Sequence, residues 1–258
     1  MVGSYGEKRV LNIVVIGTGM YATGRGTSGY GTVLPAISEW QRDNDHRSEV
    51  VFVGTNGKHS EASKQKSEQL AIDTGVKLNV SFVPDGNVID RNTYKQVLKE
   101  IPRPACAIVV VPDHLHYQVA SDCIMEDLPL LVVKPLTPTI AEGVELVNLA
   151  DDRSLYGAVE FHKRWDKANL MMRDKIQSGQ LGDLLYCWVE YSQRKSIPTE
   201  IFKEWAEKTS ILQYLGIHYI DIMRFCTGAT PKRVMAVGQK RWLPTQGLNA
   251  YDSIQCIV

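Results

Sequence analysis

The chain has 258 residues, 44% of them hydrophobic and 22% charged, which is the balance of a globular protein with a sizeable core and room for one large or two medium domains. Lys plus Arg is 29 and Asp plus Glu is 29, so the net charge is zero and no basic block exists to track a phosphate backbone; nucleic acid is excluded as an expected partner. No apolar stretch approaches the ~18 residues that a membrane span needs, and the five cysteines are scattered without a CxxC pair, as buried thiols of a reducing compartment are. The first nine residues are polar and lack the apolar segment of a secretory signal, so the expected location is the cytoplasm.

The apolar run Leu11 to Ile16 passes directly into Gly17-Thr18-Gly19-Met20-Tyr21-Ala22. A buried parallel strand is apolar on both faces, and a GxGxxA turn after it lets the main chain bend tightly and approach a pyrophosphate. These six residues are the expected cofactor turn. Glycines at 24, 26, 29 and 31 follow where a crossover helix would be gaining its first turns. Each costs about 1 kcal/mol in a helix relative to alanine, so a loop insertion is expected before a helix starting near Thr32, with Arg25 placed towards the cofactor phosphates or simply in solvent.

Apolar runs then recur at Val50–Val53, Ala107–Val111 and Leu130–Val133, separated by helical segments Ser60–Thr74, Asn92–Glu100 and Leu115–Asp127. This is the rhythm of a parallel sheet with crossover helices. At the end of the second strand, where an acid would hold both ribose hydroxyls of NAD, the chain reads Gly54-Thr55-Asn56-Gly57-Lys58-His59. Thr55, Asn56 and Lys58 are suited to a 2′-phosphate, which favours NADP over NAD. Val111 and Pro112 follow the next strand at the sheet edge where ligands bind, and His116 either lines the nicotinamide pocket or packs near the start of the next helix. Lys134, after Leu130–Val133, is the leading acid/base candidate, because a lysine in a partly dry site exchanges protons near neutral pH.

From Thr137 the pattern changes, with helices expected at Thr139–Ala150 and Asp166–Ser178 and strands at Leu155–Val159, Leu184–Arg194, Lys232–Gln239 and Ser253–Val258. The expected division is 1–136, for dinucleotide binding, and 137–258, a second domain. The chain stops within an apolar run, so a further C-terminal portion, or completion of the sheet by a partner, is also expected. His218 and Asp221 share one face of a helix expected over Ser210–Cys226, where two ionisable groups are costly unless paired or functional.

Together GTGMYA, VPDHLH, VVKPL and GIHYID, with Phe161-His162-Lys163-Arg164 and Ser178-Gly179-Gln180-Leu181-Gly182, resemble the glucose-fructose oxidoreductase, inositol dehydrogenase and rhizopine catabolism family of NAD(P)-dependent oxidoreductases. The resemblance implies an α/β fold with an N-terminal Rossmann doubly wound parallel sheet. It also implies a C-terminal α/β domain with an open, mainly antiparallel sheet, homodimers or homotetramers through that sheet, and a sugar-sized cleft. By position it makes Lys134 the lysine of the family's Glu-Lys-Pro motif and Asp221 an acid that binds and polarises substrate, with His218 ahead of it and His162 and Arg164 lining the cleft. No metal is implied. Two departures stand out: the motif's glutamate is Val133, and the position four after Asp221, often His or Tyr, is Phe225. The expected activity is hydride transfer between NADP or NAD and a secondary hydroxyl of a sugar or polyol. The alternatives are a non-catalytic dinucleotide and sugar sensor, and a glycosidase or epimerase working by transient oxidation.

Overall fold

The computed structural model of the chain describes residues 10–43 and 48–258; the polar first nine residues, read above as lacking a signal, lie outside them. In chain order the elements are β1 (Asn12–Ile16), α1 (Met20–Thr23), α2 (Val33–Asp43), β2 (Val50–Val53), α3 (Gly57–Thr74), β3 (Val80–Val83), α4 (Thr93–Glu100), β4 (Ala105–Val109), α5 (His116–Met125), β5 (Leu130–Val133), α6 (Ile140–Asp152) and β6 (Gly157–Glu160). They are followed by α7 (Lys167–Gln177), α8 (Ile217–Thr227), β7 (Met235–Gln239), α9 (Trp242–Thr245) and β8 (Ser253–Ile257). The described residues form two compact units: those up to 133 with 139–158, and residues 134–138 with 159–258. The units therefore do not divide at a single point after residue 136. The segment 134–138 clusters with the second unit, and α6 with the first, because the capping box of Thr139 and Glu142 starts a helix that packs on α5.

The first unit is built on a six-stranded sheet of order β3-β2-β1-β4-β5-β6, with β1 to β5 pairing in parallel. Central strand β1 (NIVVI) is buried at all five positions, since crossover helices cover both faces of a parallel sheet. Val14, Val15, Val50, Phe52 and Val109 are fully buried, and each such side chain contributes about 1.5–3 kcal/mol by leaving water. Ile13, Leu34, Ile37, Leu70 and Phe82 join them in one cluster between sheet and helices. Strand β3 is not foreshadowed by any apolar run: its burial is mixed, as befits the sheet edge.

The glycine-dense stretch is a closed excursion from a helix. The chain leaves α1 at Gly24 and returns at Thr32, whose amide donates to the Tyr21 carbonyl at 2.7 Å. Gly31, at φ +73°, closes the stem: a Cβ there would stand 2.6 Å from the Tyr21 carbonyl oxygen and 2.7 Å from the Gly24 nitrogen.

In the second unit, α7 and α8 pack together, and β7 and β8 pair antiparallel from Met235↔Ile257 to Gln239↔Ser253. The strand expected over Leu184–Arg194 is corrected. This segment forms no ladder among the described residues, and Leu185, Tyr186 and Trp188 are more than four-fifths exposed. Its alternating pattern was sufficient for a strand, but a strand exists only where a neighbour takes its backbone groups. A second small cluster, Ala206, Leu243, Leu248 and Ala250, is closed by Phe202 and Trp242. No helix among the described residues is long and apolar enough to cross a membrane, and none of their acidic, histidine and cysteine side chains group as a metal site.

Candidate functional site

The turn after β1 is shaped by the strands beside it. Ile16 pairs with Val53 on one side and Val109 on the other, so three strands end in register and their next residues, Gly17, Gly54 and Val110, form one edge. Gly17 donates to the Val53 carbonyl at 2.8 Å, and Val110 to that of Ile16 at 2.8 Å. Gly17 has φ +129°, and a Cβ on it would stand 2.0 Å from the Val110 carbonyl oxygen, so only glycine fits. Gly19, at the start of α1, has nothing within 4 Å of the place its Cβ would take. A tightly folded first glycine and an open second one give a ligand close access to the backbone, which is the steric requirement of a dinucleotide pyrophosphate.

The Thr18 carbonyl gathers three donors: Arg25 Nε at 2.9 Å, Ser63 Oγ at 3.1 Å and Thr23 Oγ1 at 3.3 Å. The turn is thereby tied to α3 and to the inserted loop. Met20 opens α1, a helix of four residues; Tyr21 is half-buried and Ala22 fully buried beneath the turn. At the end of β2, Thr55 and Lys58 are exposed. Asn56 caps α3, its side-chain oxygen accepting from the Lys58 amide at 2.9 Å. One of its acceptor positions is thus engaged in holding the helix.

His116 is fully buried and its Nε2 lies 2.9 Å from the Val111 carbonyl, bridging the turn Val111-Pro112-Asp113-His114-Leu115. Its place in the structure is that of the packing residue, fastening the loop after β4, and not that of a wall open to ligand. Val111 and Pro112 are half-buried at that turn.

The second unit assembles a different group. Lys134, one residue past β5, is 8% exposed; its Nζ donates to the Tyr214 carbonyl at 2.7 Å and sits 4.0 Å from the centroid of the Tyr214 ring. A desolvated ammonium is costly, and a carbonyl dipole with an aromatic face is what offsets that cost here. The buried imidazole of His218 meets that of His162 edge-on at 4.7 Å. Burial first, then the charges of Lys134, His162 and Lys163, push the His218 pKa down to about 3 against the smaller opposing pull of Glu160. It is neutral at physiological pH. Its Nδ1 is buried with no hydrogen-bond partner among the described residues. His162 pairs through Nδ1 with Glu160 at 3.0 Å.

Asp221, 8% exposed on α8, is held by Arg164 through two parallel bonds, Nε to Oδ2 at 2.7 Å and Nη2 to Oδ1 at 2.5 Å. That carboxylate raises the Arg164 pKa. The Phe225 ring meets Trp165 at 5.8 Å and lies under Arg173 at 4.3 Å, so the position often His or Tyr is a packed aromatic here. Val133 is buried at the end of β5. The structure thus brings Lys134, His162, Arg164, His218 and Asp221 into one unit, and Gly17 to Ala22, Thr55, Asn56, Lys58, Val111, Pro112 and His116 into the other. Tyr214 and Glu160 were not anticipated. The spacing Tyr214, His218, Asp221, at i, i+4 and i+7, was the available signal for Tyr214.

Two family models match the chain, one after the other. Residues 11–161 match the GFO_IDH_MocA oxidoreductase family, NAD-binding Rossmann fold, and residues 169–257 match the GFO/IDH/MocA C-terminal domain. The chain is similar to scyllo-inositol 2-dehydrogenase (NADP(+)) IolW of Bacillus subtilis, 32% identical over 160 residues covering 59% of this chain and 42% of the relative. It is similar also to inositol 2-dehydrogenase 1 of Saccharopolyspora erythraea, 32% identical over 131 residues covering 49% of this chain and 36% of the relative. The chain thus spans less than half the length of these curated relatives. In fold it is similar to myo-inositol 2-dehydrogenase from Lactobacillus plantarum, with TM-score 0.68, 15% identity and coverage of 96% of this chain and 66% of that one. A similar likeness links it to scyllo-inositol dehydrogenase from Lactobacillus casei, solved with bound NAD(H) and scyllo-inositol, with TM-score 0.64, 15% identity and coverage of 96% and 65%. The turn geometry, the strand order 3-2-1-4-5-6 and the match over 11–161 agree: the chain belongs to the GFO/IDH/MocA oxidoreductase family.

Proposed function

We propose that this chain serves an NAD(P)-dependent oxidoreductase that moves hydride between the nicotinamide and a secondary hydroxyl of a sugar, polyol or sugar derivative. The observation that carries the reading is the buried ammonium of Lys134, fixed by Tyr214 immediately after β5 and next to an imidazole that its charge helps to keep neutral. Gly17 to Ala22 hold the dinucleotide backbone, and Thr55 and Lys58 with Asn56 take its ribose end, with NADP preferred for want of an acid there. The dinucleotide, when bound, supplies the hydride donor or acceptor.

Lys134 handles the hydroxyl proton: as the ammonium its Nζ gives a proton to the oxygen when the carbonyl is reduced, and as the neutral amine it takes the hydroxyl proton when the alcohol is oxidised. His218 is too weak a base at neutral pH to share that transfer on equal terms, and instead orients a neighbouring hydroxyl through Nδ1. Asp221 accepts from substrate hydroxyls while Arg164 fixes its carboxylate plane. His162 and Arg164 complete the polar lining.

The test is a fluorescence titration of NADPH and NADH, followed by a screen of inositols, sugars and polyols at the nicotinamide absorbance band, with the wild type and Lys134→Ala. Turnover in the wild type that is lost in the variant supports the dehydrogenase. One observation favours a second reading: Phe225 and Val133 leave two positions beside the site without ionisable groups. Tight dinucleotide binding with no turnover on the whole panel selects the non-catalytic sensor, and product formed without net cofactor change selects the glycosidase or epimerase.

A further inference from the structure

We propose that Arg25, carried by the inserted loop 24–31, recognises the 2′-phosphate of NADP(H) and sets the cofactor preference of this chain. The inference rests on the dinucleotide reading given above and adds to it the residue that discriminates. A Rossmann unit that selects NAD places a carboxylate beyond its second strand, whereas one that accepts NADP needs a cation near the same corner. Here the residues after β2 are Gly54-Thr55-Asn56-Gly57-Lys58-His59, without an acid.

The corner can be located from three contacts. A Cβ on Gly54 would stand 2.8 Å from Thr18 Oγ1 and 3.2 Å from Ser60 Oγ, so the glycine turn, the end of β2 and the first turn of α3 abut. Arg25 Nε is bonded to the carbonyl of that same Thr18 at 2.9 Å. Ser63, one turn beyond Ser60 on α3, bonds the same carbonyl at 3.1 Å. The guanidinium therefore stands where the glycine turn meets α3.

Its state is unusual for a structural arginine. It is half-buried, yet among the described residues no carboxylate pairs with it, and neither Nη group has a hydrogen-bond partner. Anchoring through Nε alone leaves the two-pronged Nη edge, the part of the side chain that matches phosphate oxygens. A partly desolvated cation without an anion is costly, and a phosphate would remove that cost. The nearby acid that the loop does use, Asp73, is occupied by the Tyr30 hydroxyl and by Gln69 Nε2 at 2.7 Å.

The loop is also held in place before any ligand arrives. Lys66 Nζ donates to the Thr27 carbonyl at 2.7 Å, Thr27 Oγ1 donates to that of Gly24 at 2.9 Å, and the Gly24–Gly31 stem is closed. Preorganisation of this kind lowers the ordering cost of binding.

The experiment measures NADPH and NADH affinities by fluorescence titration for the wild type, Arg25→Ala and Arg25→Gln, the last removing the charge and the Nη edge while keeping an N–H donor near the position of Nε. The wild type is expected to prefer NADPH. Each variant is expected to bind NADPH about tenfold to hundredfold more weakly, the loss typical of a charge-assisted contact, with NADH affinity within about twofold. In parallel, 2′,5′-ADP is expected to displace the wild-type dinucleotide at lower concentration than 5′-ADP, and this advantage is expected to vanish in both variants. Equal losses for NADPH and NADH would show that Arg25 only staples the turn, and unchanged NADPH binding would show that it has no role; either overturns the proposal, as does a wild type that prefers NADH. A wild type that binds neither dinucleotide overturns the reading of the glycine turn itself, which separates the two failures.

Discussion

Arg164 and Asp221, 57 residues apart, form a two-pronged ion pair in which the carboxylate is almost wholly buried and the guanidinium is about one-third exposed. The asymmetry predicts unequal mutants. Arg164→Ala leaves a buried carboxylate without its partner and is expected to cost about 2–4 kcal/mol in urea denaturation. Asp221→Asn keeps the shape and frees an arginine that water can reach, and is expected to cost less than about 1.5 kcal/mol. Equal losses in the two variants would refute this account of the pair.

The imidazole of His218 gives a pH signature. Its pKa is about 3 in the folded chain against 6.5 for an ordinary histidine, so between these values the unfolded state binds more protons. Stability from this residue is then fully present above pH 6.5 and is lost as pH falls towards 3. A slope of up to about 1.4 kcal/mol per pH unit is expected for one such group. Urea midpoints measured from pH 7 to pH 4 should fall more steeply for the wild type than for His218→Gln, and parallel curves would contradict the assignment.

After burial, the Lys134 ammonium is the strongest of the charges that lower that pKa. Removing it in Lys134→Ala takes away a repelling cation, so the His218 pKa is expected to rise. Histidine proton chemical shifts followed over pH 3–7 read the change directly, and a value that stays put or falls would mean the two side chains are not electrostatic neighbours.

Gly17 and Gly19 are predicted to respond in opposite ways. Gly17→Ala drives a methyl into the Val110 carbonyl at a left-handed backbone position, and is expected to lower stability by about 2–4 kcal/mol. Gly19→Ala has open space and an ordinary φ of −81°, so its stability should stay within about 0.5 kcal/mol of wild type while dinucleotide affinity falls about tenfold or more. A stable Gly19→Ala with unchanged affinity would mean that no ligand approaches that backbone.

The parts of this account that were readable from sequence are those encoded locally. The parallel strands of the first unit announce themselves as runs such as NIVVI because both faces are covered, and the cost of glycine in helices marked the insertion before α2, which begins at Val33. β3 was silent because an edge strand needs no continuous apolar run, and Leu184–Arg194 misled because alternation reports a face and not a partner. In the site, Lys134 stood out by position, yet what holds it lies 80 residues further on in the Tyr214 carbonyl. The Arg164–Asp221 pair and the donors converging on Thr18 are likewise long-range. Only the folded chain brings them together.

Whether Lys134 handles the proton is read from steady-state turnover on responsive polyols, compared for wild type and Lys134→Ala at matched dinucleotide saturation. NADPH affinity is expected to stay within about threefold while kcat falls by about 10²–10⁴, the range of a lost general acid or base. A variant that turns over at the wild-type rate with its cofactor bound would rule out Lys134 as the group that moves the proton.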